Sequence, residues 1–173
     1  NDVLNNLRLY LEYLLENKPE IMFIGEAPGY RGCGLTGIPF SSGKIIMNSQ
    51  HKMFRGLRDQ IKLERVVSEN TAKILWEFIE NKSAPLLWNA FPFHPHKKEN
   101  IGSNRKPTSS EIEEGQKYLI NIFELINPTK LCAIGRVGET TLKSMFPDKK
   151  VIYIRHPSYG GKKDFIAGMG GLY

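Results

Sequence analysis

The sequence predicts an α/β fold: a three-layer α/β/α sandwich around a four-stranded parallel sheet. Three observations support this prediction. Short apolar runs alternate with amphipathic helical patterns along the chain, and turn residues follow the apolar runs. The alternation favours right-handed crossovers that place helices on both faces of the sheet. The length of 173 residues suits one domain with its own core, so we expect a single domain over residues 1–173.

The first half of the chain contains two predicted strands. Leucines at helical spacing predict an amphipathic helix that ends near Lys18, just before a proline. The apolar run 21–25 predicts a buried strand of the parallel type. Ser68 is the predicted N-cap of a helical pattern, and Pro85 begins the next strand at residues 86–88.

The second half continues the alternation of helix and strand. Thr108 and Glu111 are spaced as a capping box, and the helix they begin should end at Asn127, before a proline. The remaining predicted elements are a strand at 131–135, a helix at 138–145 and a strand at 151–154.

The composition is that of a globular protein with a basic surface. The net charge is +6, and hydrophobic residues make up 40% of the chain. A basic surface attracts the phosphate backbone of nucleic acids. From the charge alone, however, a solvated surface without a nucleic-acid partner is the favoured interpretation. No apolar run is long enough to cross a bilayer, so we expect no membrane partner and a cytoplasmic location, at the nucleoid if the source is bacterial. The basic pairs are Lys97–Lys98, Arg105–Lys106, Lys149–Lys150 and Lys162–Lys163.

Cysteine usage predicts neither an iron–sulfur cluster nor a structural zinc site, and we expect that no metal or organic cofactor is required. Cys33 and Cys132 are the only cysteines, and two thiols cannot hold an iron–sulfur cluster or close a structural zinc site. We expect two free thiols in a reducing compartment, with a disulfide between them as the alternative. The chain begins at Asn1 without an initiator methionine, as a fragment of a longer product would.

Four motifs sit at the ends of the apolar runs, where ligands gather in open α/β sheets. Each motif alone is weak, because glycine–proline turns after strands are common. They fall in or beside two long irregular stretches, 26–43 and 91–107, and loops of that length in a compact domain are usually functional or disordered. The motifs are GEAPG at 25–29, GIPFSS at 37–42, LLWNAFPFHP at 86–95 and YIRHPS at 153–158.

In their order and spacing, these motifs resemble the active-site loops of the uracil-DNA glycosylase superfamily. The similarity extends from residue 21 to about residue 158 and is dense only at the four loops. It implies a monofunctional hydrolase that cleaves the N-glycosidic bond of uracil in DNA, with water as the nucleophile, DNA as the partner and the chain acting as a monomer. The GEAPG spelling occurs in a branch that usually carries an iron–sulfur cluster, so the missing cysteines imply a cluster-free member.

The resemblance assigns roles to three dispersed side chains. His156 would donate a hydrogen bond to the uracil oxygen that gains negative charge as the bond breaks. Asn89 would read the N3–H and O4 of uracil with its amide, and Phe40 would stack on the extruded base. Each also has a structural interpretation: a capped loop histidine, a turn asparagine and a core phenylalanine.

The first motif supplies the predicted water-holding group. Glu26 is its only carboxylate and is the candidate for holding or polarising the water, with a carboxylate bonded to loop amides as the alternative. Gly25 and Ala27 are assigned to the base-binding site. Ala27 stands where the best-known branch has a catalytic aspartate, so backbone carbonyls or the Asn89 region could hold the water instead.

Further residues are predicted to contact DNA around the extruded nucleotide. Small hydroxyls allow close approach of the phosphates, and lysines neutralise their charge. The best-known branch inserts a leucine wedge after its HPS motif, and Tyr159 or Phe165 could take that place here. The predicted DNA-binding residues are Ser41, Ser42, Ser158, Tyr159, Lys162 and Lys163.

Three other functions compete with uracil release. Gly29 replaces the tyrosine that excludes the thymine methyl group in the best-known branch, with Tyr30 next, so a glycosylase for another base is the nearest alternative. A non-catalytic DNA-binding module that retains the fold is the second. A nucleotide-binding protein is the third and is poorly supported, because neither a P-loop ending nor a dinucleotide fingerprint is present.

Overall fold

The computed structural model describes residues 1–173 and confirms the predicted parallel sheet. Its strands lie in the order β2-β1-β3-β4, and all three neighbouring pairs are parallel. The chain moves one way across the sheet from β1 to β2 and the other way from β2 to β3 and β4. With right-handed crossovers, this reversal places the connecting helices on both faces. The strands are β1 (Ile21–Gly25), β2 (Leu86–Asn89), β3 (Lys130–Ile134) and β4 (Val151–Ile154).

Seven α-helices and one π-helical turn accompany the strands. The π-helical turn (Tyr30–Gly34) lies in the loop after β1. None of the helices is long and apolar enough to cross a membrane. The helices are α1 (Asp2–Asn17), α2 (Gly43–Asn48), α3 (Lys52–Leu57), α4 (Asn70–Ile79), α5 (Ser109–Ile126), α6 (Arg136–Met145) and α7 (Lys162–Gly170).

The structure confirms one predicted cap and corrects another. The capping box of Thr108 and Glu111 is present at the start of α5. Glu69, not Ser68, caps α4, because its carboxylate accepts the N–H groups of Thr71 and Ala72 at 2.9 and 2.6 Å. The carboxylate of Glu69 has two oxygens and accepts two of the free N–H groups of the first turn. The Ser68 hydroxyl, which was predicted as the cap, accepts neither of them.

Helix α1 protects the free edge of the sheet at β2. The Tyr10 hydroxyl donates to the Leu87 carbonyl at 3.1 Å and accepts from the Leu87 N–H at 2.8 Å. One side chain therefore satisfies both backbone groups that an edge strand would expose. Tyr10 is fully buried, so the contact also ties α1 to the core.

Helix α6 lies directly against the central strand. A Cβ at Gly138 would overlap the carbonyl group of Ile24 in β1, so glycine permits this close packing. β1 is buried along its whole length, as expected for a central parallel strand.

The reversal of strand order defines where a ligand should bind. β1 and β3 are neighbours whose onward connections run in opposite directions, and a crevice opens above their carboxyl ends. Asn89 is the last residue of β2, and Gly25 is the last residue of β1. All four predicted motifs therefore converge at the carboxyl ends of the strands.

Candidate active site

A cavity of about 680 Å³ opens at the carboxyl ends of the strands. Residues from the loops after all four strands line it, so it belongs to the crevice that the topology creates. The lining includes the predicted Glu26, Ala27, Phe40, Ser41, Asn89, His156, Ser158 and Tyr159, together with Glu69, Thr71, Asn104, Arg105, Lys106 and Arg136.

Phe40 and Asn89 meet directly above Gly25. A Cβ on Gly25 would lie 2.8 Å from Asn89 Oδ1 and 3.0 Å from Phe40 Cε2, both too close for real atoms. The aromatic ring, the amide and the glycine backbone thus form one continuous surface. Gly25 and Asn89 are brought together because β1 and β2 are hydrogen-bonded neighbours, with these two residues in register.

The backbone of Phe40 is held in an uncommon conformation. Its φ is +53°, in the left-handed region that non-glycine residues rarely adopt. The indole N–H of Trp76 donates to the Phe40 carbonyl oxygen at 2.8 Å, and Trp76 is itself buried against Phe54. This anchoring keeps the Phe40 ring at the cavity, where strain of this kind often marks a functional position.

The side-chain amide of Asn89 has no hydrogen-bond partner within the protein, although Asn89 is only 4% exposed. Its backbone surroundings are ordered, since the Ala90 N–H donates to the Gly25 carbonyl at 2.9 Å. The protein thus leaves the hydrogen-bonding capacity of this amide free for water or a ligand in the cavity. The cavity therefore presents both a donor and an acceptor, ready for a polar planar ligand.

His156 presents its Nε2–H as a donor. Its Nδ1 accepts the backbone N–H of Ser158 at 3.2 Å and lies 2.7 Å from the Ser158 hydroxyl. Because a backbone N–H can only donate, Nδ1 must be unprotonated and the ring proton of neutral His156 sits on Nε2. Burial lowers the pKa of His156, and the charge of Glu69 offsets part of that shift. The imidazole is thus neutral at pH 7.

We predict that NMR will find His156 in the Nε2–H tautomer with a pKa below that of an exposed histidine. Protonation at Nδ1 would break the contact with the Ser158 N–H and charge a buried ring, and both effects oppose it. The measurement is a pH titration of the ring nitrogen shifts. A protonated Nδ1 at neutral pH would contradict this assignment.

Two carboxylates reach the cavity, and sequence reasoning found only one of them. Glu26 follows β1, and its carbonyl accepts the Phe91 N–H at 3.1 Å, whereas its carboxylate makes no hydrogen bond within the protein. The predicted alternative, a carboxylate bonded to loop amides, is therefore not present. Glu69 lines the same cavity while it caps α4. Glu69 lies outside every motif. Its position just before a predicted helix was the only feature of the sequence that could have drawn attention to it.

The predicted phosphate contacts of Ser41 and Ser42 do not fit their positions. Both serines are buried. The Ser41 hydroxyl donates to the Ile38 carbonyl at 2.8 Å and pairs with the Thr36 hydroxyl at 2.7 Å. Ser42 caps α2 by accepting the Ile45 N–H at 3.4 Å. These hydroxyls serve the loop that carries Phe40, because a tight turn leaves backbone groups that only nearby side chains can satisfy.

The loop after β4 places one aromatic ring in solvent. Tyr159 is 98% exposed at the mouth of the cavity, whereas Phe165 is fully buried and cannot serve as a wedge. Lys162 and Lys163 lie in the exposed first turn of α7, outside the cavity lining. Ser158 lines the cavity and holds His156, so its hydroxyl has a role beyond the predicted phosphate contact.

The cavity is open at Gly29. A Cβ there would meet only Asn104 Oδ1, at 4.0 Å. Tyr30 does not fill the space: its ring packs beside His94, 5.8 Å away between centroids, and its backbone N–H donates to Asn104. No side chain next to Gly29 limits the size of the bound group.

The charges on the wall of the cavity are largely paired. Arg105 and Arg136 line it, and each forms a salt bridge with a glutamate outside the lining, Glu111 and Glu139. Lys106 is the lining cation without a salt bridge. The first turn of α6 also faces the cavity, and the N–H groups of a helix start favour negative charge in a ligand.

The residues do not fit an iron–sulfur cluster or another metal centre. Cys132 lies inside β3, and burial raises the pKa of both thiols to about 12, which opposes the thiolate that metals require. Both cysteines are free, and no three histidine, cysteine or acidic side chains converge.

Replacing Gly25 with alanine should disrupt the binding surface without unfolding the sheet. The new methyl group would displace the Phe40 ring and the Asn89 amide, the two groups closest to it. Misplacing binding groups by about 1 Å can cost on the order of a hundredfold in rate. We expect a loss of that size in the rate of turnover, while the far-UV circular dichroism spectrum stays that of the wild type. Unchanged turnover would show that these two groups do not form the site.

Comparison with known proteins gives one family match and a structural match. The family model described as Uracil DNA glycosylase superfamily matches residues 13–165. No curated protein sequence matches the chain significantly. Among solved structures, the crystal structure of wild-type Pedobacter heparinus SMUG2 superposes with a TM-score of 0.61 at 16% identity, covering 89% of this chain and 76% of that one. At this identity the structural match shows the shared fold.

Proposed function

The chain belongs to the uracil DNA glycosylase superfamily, and from this premise we propose that it releases uracil from DNA by hydrolysing the N-glycosidic bond. The family places it among the DNA glycosylases, hydrolases of base excision repair. All candidate groups come from one chain, so we propose that it acts as a monomer. The observation that carries the substrate proposal is the convergence of Phe40, Asn89 and His156 on one cavity.

In the proposed reaction, the uracil nucleotide rotates out of the DNA and the base enters the cavity. Phe40 stacks on the ring, which is worth about 1–3 kcal/mol per base. The Asn89 amide oxygen accepts the uracil N3–H, and its amide nitrogen donates to O4. A base with the reversed donor and acceptor pattern leaves these buried groups unpaired and is rejected.

Bond cleavage leaves the electron pair of the C1′–N1 bond on the uracil, whose O2 gains negative charge. The Nε2–H of neutral His156 donates to that oxygen. A water held by Glu26 adds its oxygen to C1′ of the oxocarbenium-like sugar and gives a proton to the Glu26 carboxylate, which returns it to solvent, while the departing uracil anion takes up a proton from water. The carboxylates of Glu26 and Glu69 also stabilise the positive charge on the sugar. The products are free uracil and an abasic site.

Tyr159 is proposed to fill the gap that the extruded base leaves in the stack. Its ring is fully exposed at the cavity mouth, three residues after His156. Side chains that unstack a base step take this kind of position in DNA-deforming proteins. Lys162 and Lys163, in the next turn of chain, are proposed to lie near the flanking phosphates.

A panel of oligonucleotides, each carrying one altered base, tests the substrate proposal. Purified protein should release free uracil from the uracil-containing member and leave the cytosine-containing member intact. Release of another base without any release of uracil would overturn the proposed substrate but not the glycosylase class.

A glycosylase for a larger or methylated base is the second candidate, and the open space at Gly29 favours it. Nothing within 4 Å of a Cβ at this position, apart from Asn104, would exclude an additional methyl group or ring. Replacing Gly29 with tyrosine should then reduce release of the larger base more than release of uracil, which the same panel measures.

A further inference from the structure

We propose that Asn6 is a positioning residue for Phe40 and that the first half of α1 therefore supports the active site. This role rests on the proposed function, in which the base stacks on the Phe40 ring. It lies outside the family match, because that match begins at residue 13 and leaves out the start of α1. None of the four motifs includes a residue of α1.

Phe40 lies in a turn that needs support from other parts of the chain. We call residues 36–41 the Phe40 turn. Within it, the Ser41 N–H donates to the Ile38 carbonyl at 3.3 Å, which is long for a hydrogen bond of this kind. Phe40 itself has a φ of +53°. A non-glycine residue keeps such a conformation only when the surrounding structure fixes it.

Two buried hydroxyls supply part of this support. The Ser41 hydroxyl donates to the Ile38 carbonyl, and the Thr36 hydroxyl accepts the Ile38 N–H at 3.2 Å. Because the Ser41 proton goes to that carbonyl, Thr36 is the donor in the hydroxyl pair of Thr36 and Ser41. Both side chains are buried, so water does not compete for these bonds.

Asn6 ties the Phe40 turn to α1 and to the segment between α3 and α4. Its side chain is fully buried, and its Nδ2 donates to the Thr36 carbonyl at 2.9 Å and to the Lys62 carbonyl at 2.7 Å. Its Oδ1 accepts the Lys62 N–H at 3.0 Å. Since a backbone N–H can only donate, this contact identifies the oxygen of the amide. An apolar side chain here would leave all three backbone groups unpaired.

A second contact brings the start of α1 against the same turn. Gly37 has a φ of +77°, and a Cβ there would overlap the carbonyl group of Val3. Val3 and Asn6 are three residues apart and therefore lie on one face of the helix. The Phe40 turn is thus fixed by α1 near its beginning and by the indole of Trp76 near its end.

This support reaches the binding surface through the Phe40 ring. The ring lies so close to Gly25 that a Cβ on that glycine would be 3.0 Å from Phe40 Cε2. If Asn6 is lost, the unpaired carbonyls of Thr36 and Lys62 favour a rearranged turn that exposes them to water. The ring would then move, and a displacement of about 1 Å in a binding group is enough to slow a reaction.

The test is a double-mutant cycle between Asn6→Ala and Phe40→Ala. The measurement is the single-turnover rate of base release from uracil-containing DNA. Asn6→Ala alone should slow release about tenfold, because the ring is present but misplaced. In the Phe40→Ala background, the same change should slow release by less than about a further twofold, because no ring is left to position. Additive losses would overturn the proposal.

Tyr10→Phe is the matched control on the same helix. It removes the hydrogen bonds that tie α1 to Leu87 and leaves the Phe40 turn unchanged. Both variants should lower the melting temperature, but the rate for Tyr10→Phe should stay within about twofold of the wild type. Equal losses of rate in the two variants would mean that Asn6 only stabilises the fold.

Thr36→Val tests the same network without changing α1. It removes the hydroxyl that bonds to Ser41 and keeps a branched side chain of similar size. It should slow base release as Asn6→Ala does, and again by less than about twofold in the Phe40→Ala background. It takes the place of Asn6→Ala in the cycle if that variant does not fold.

The indole N–H of Trp76 provides a measurement that does not depend on activity. It donates to the Phe40 carbonyl, so its hydrogen exchange, followed by NMR, reports whether the turn stays in place. Exchange should be about tenfold faster or more in Asn6→Ala than in Tyr10→Phe. The buried indole of Trp88 has no partner in the protein and serves as the reference for global opening.

Unchanged exchange at Trp76 in Asn6→Ala would overturn the proposal. Failure of the proposed function is a separate outcome. A protein that releases no base but shows faster Trp76 exchange in Asn6→Ala would lose the glycosylase assignment and keep Asn6 as the residue that positions Phe40.

Discussion

Replacing His156 with alanine should slow base release at least about a hundredfold, because it removes the donor that we propose for the oxygen that gains charge. Removal of a single preorganised donor of this kind typically costs about 2.7–4 kcal/mol of transition-state stabilisation. The measurement is the single-turnover rate on uracil-containing DNA. The ring is prepared for this role by Ser158, whose N–H occupies Nδ1 and leaves the proton on Nε2.

DNA affinity is the matched control for His156→Ala. Affinity for a duplex with an abasic-site analogue should stay near that of the wild type, because the charge on the DNA-facing surface does not change. Ser158→Ala should give a smaller loss of rate than His156→Ala, since the backbone N–H contact to Nδ1 remains. A wild-type protein that binds uracil-containing DNA without releasing the base would instead favour the non-catalytic binding module.

Replacing Asn89 with leucine should abolish recognition of uracil while preserving the shape of the cavity. Leucine has the same branched arrangement of side-chain heavy atoms as asparagine but has neither donor nor acceptor. The N3–H and O4 of the bound base would then be left unpaired, at about 1–3 kcal/mol each. The resulting loss in kcat/KM lies between about thirtyfold and about twenty-thousandfold, measured on the same uracil substrate.

Thermal unfolding separates this effect from a loss of fold. Asn89 is nearly buried and its amide has no partner in the protein, so leucine should leave the melting temperature unchanged or raise it. Loss of stability together with loss of activity would mean that Asn89 serves the end of β2 rather than the ligand. Phe40→Leu offers a comparison in which stacking is lost and the amide is kept.

Much of the fold was predictable because it depends on local patterns. The apolar runs at β1, β2, β3 and β4, the capping box at Thr108 and the end of α5 all follow from short segments of sequence. The short helices α2, α3 and α7 were missed, because six to nine residues carry too few turns for a period to emerge. The cap at Glu69 was misassigned to Ser68 because serine is the commoner N-cap residue.

Within the site, the motifs located the groups that surround the cavity. They did not reveal which side chains are buried or already hydrogen-bonded within the protein. Ser41 and Ser42 looked available for phosphate, yet both hydroxyls are buried in the turn that carries Phe40. Phe165 looked like a possible wedge, yet it is fully buried in the core. Hydrogen-bond partners and burial depend on residues far along the chain, so no local pattern reveals them.

The sequence by itself determined the α/β class, the parallel sheet and the family, because strand periods, turn residues and four ordered motifs are properties of short segments. Only the tertiary structure decided that Phe40 and Asn89 pack against the same glycine, that Glu69 shares the cavity with His156 and that residues 104–106 and Tyr159 line the same cavity. The physical reason is the strand order: β2 and β4 become the two edges of the sheet only when the chain reverses direction across it. That choice is made by the packing of helices from distant parts of the chain.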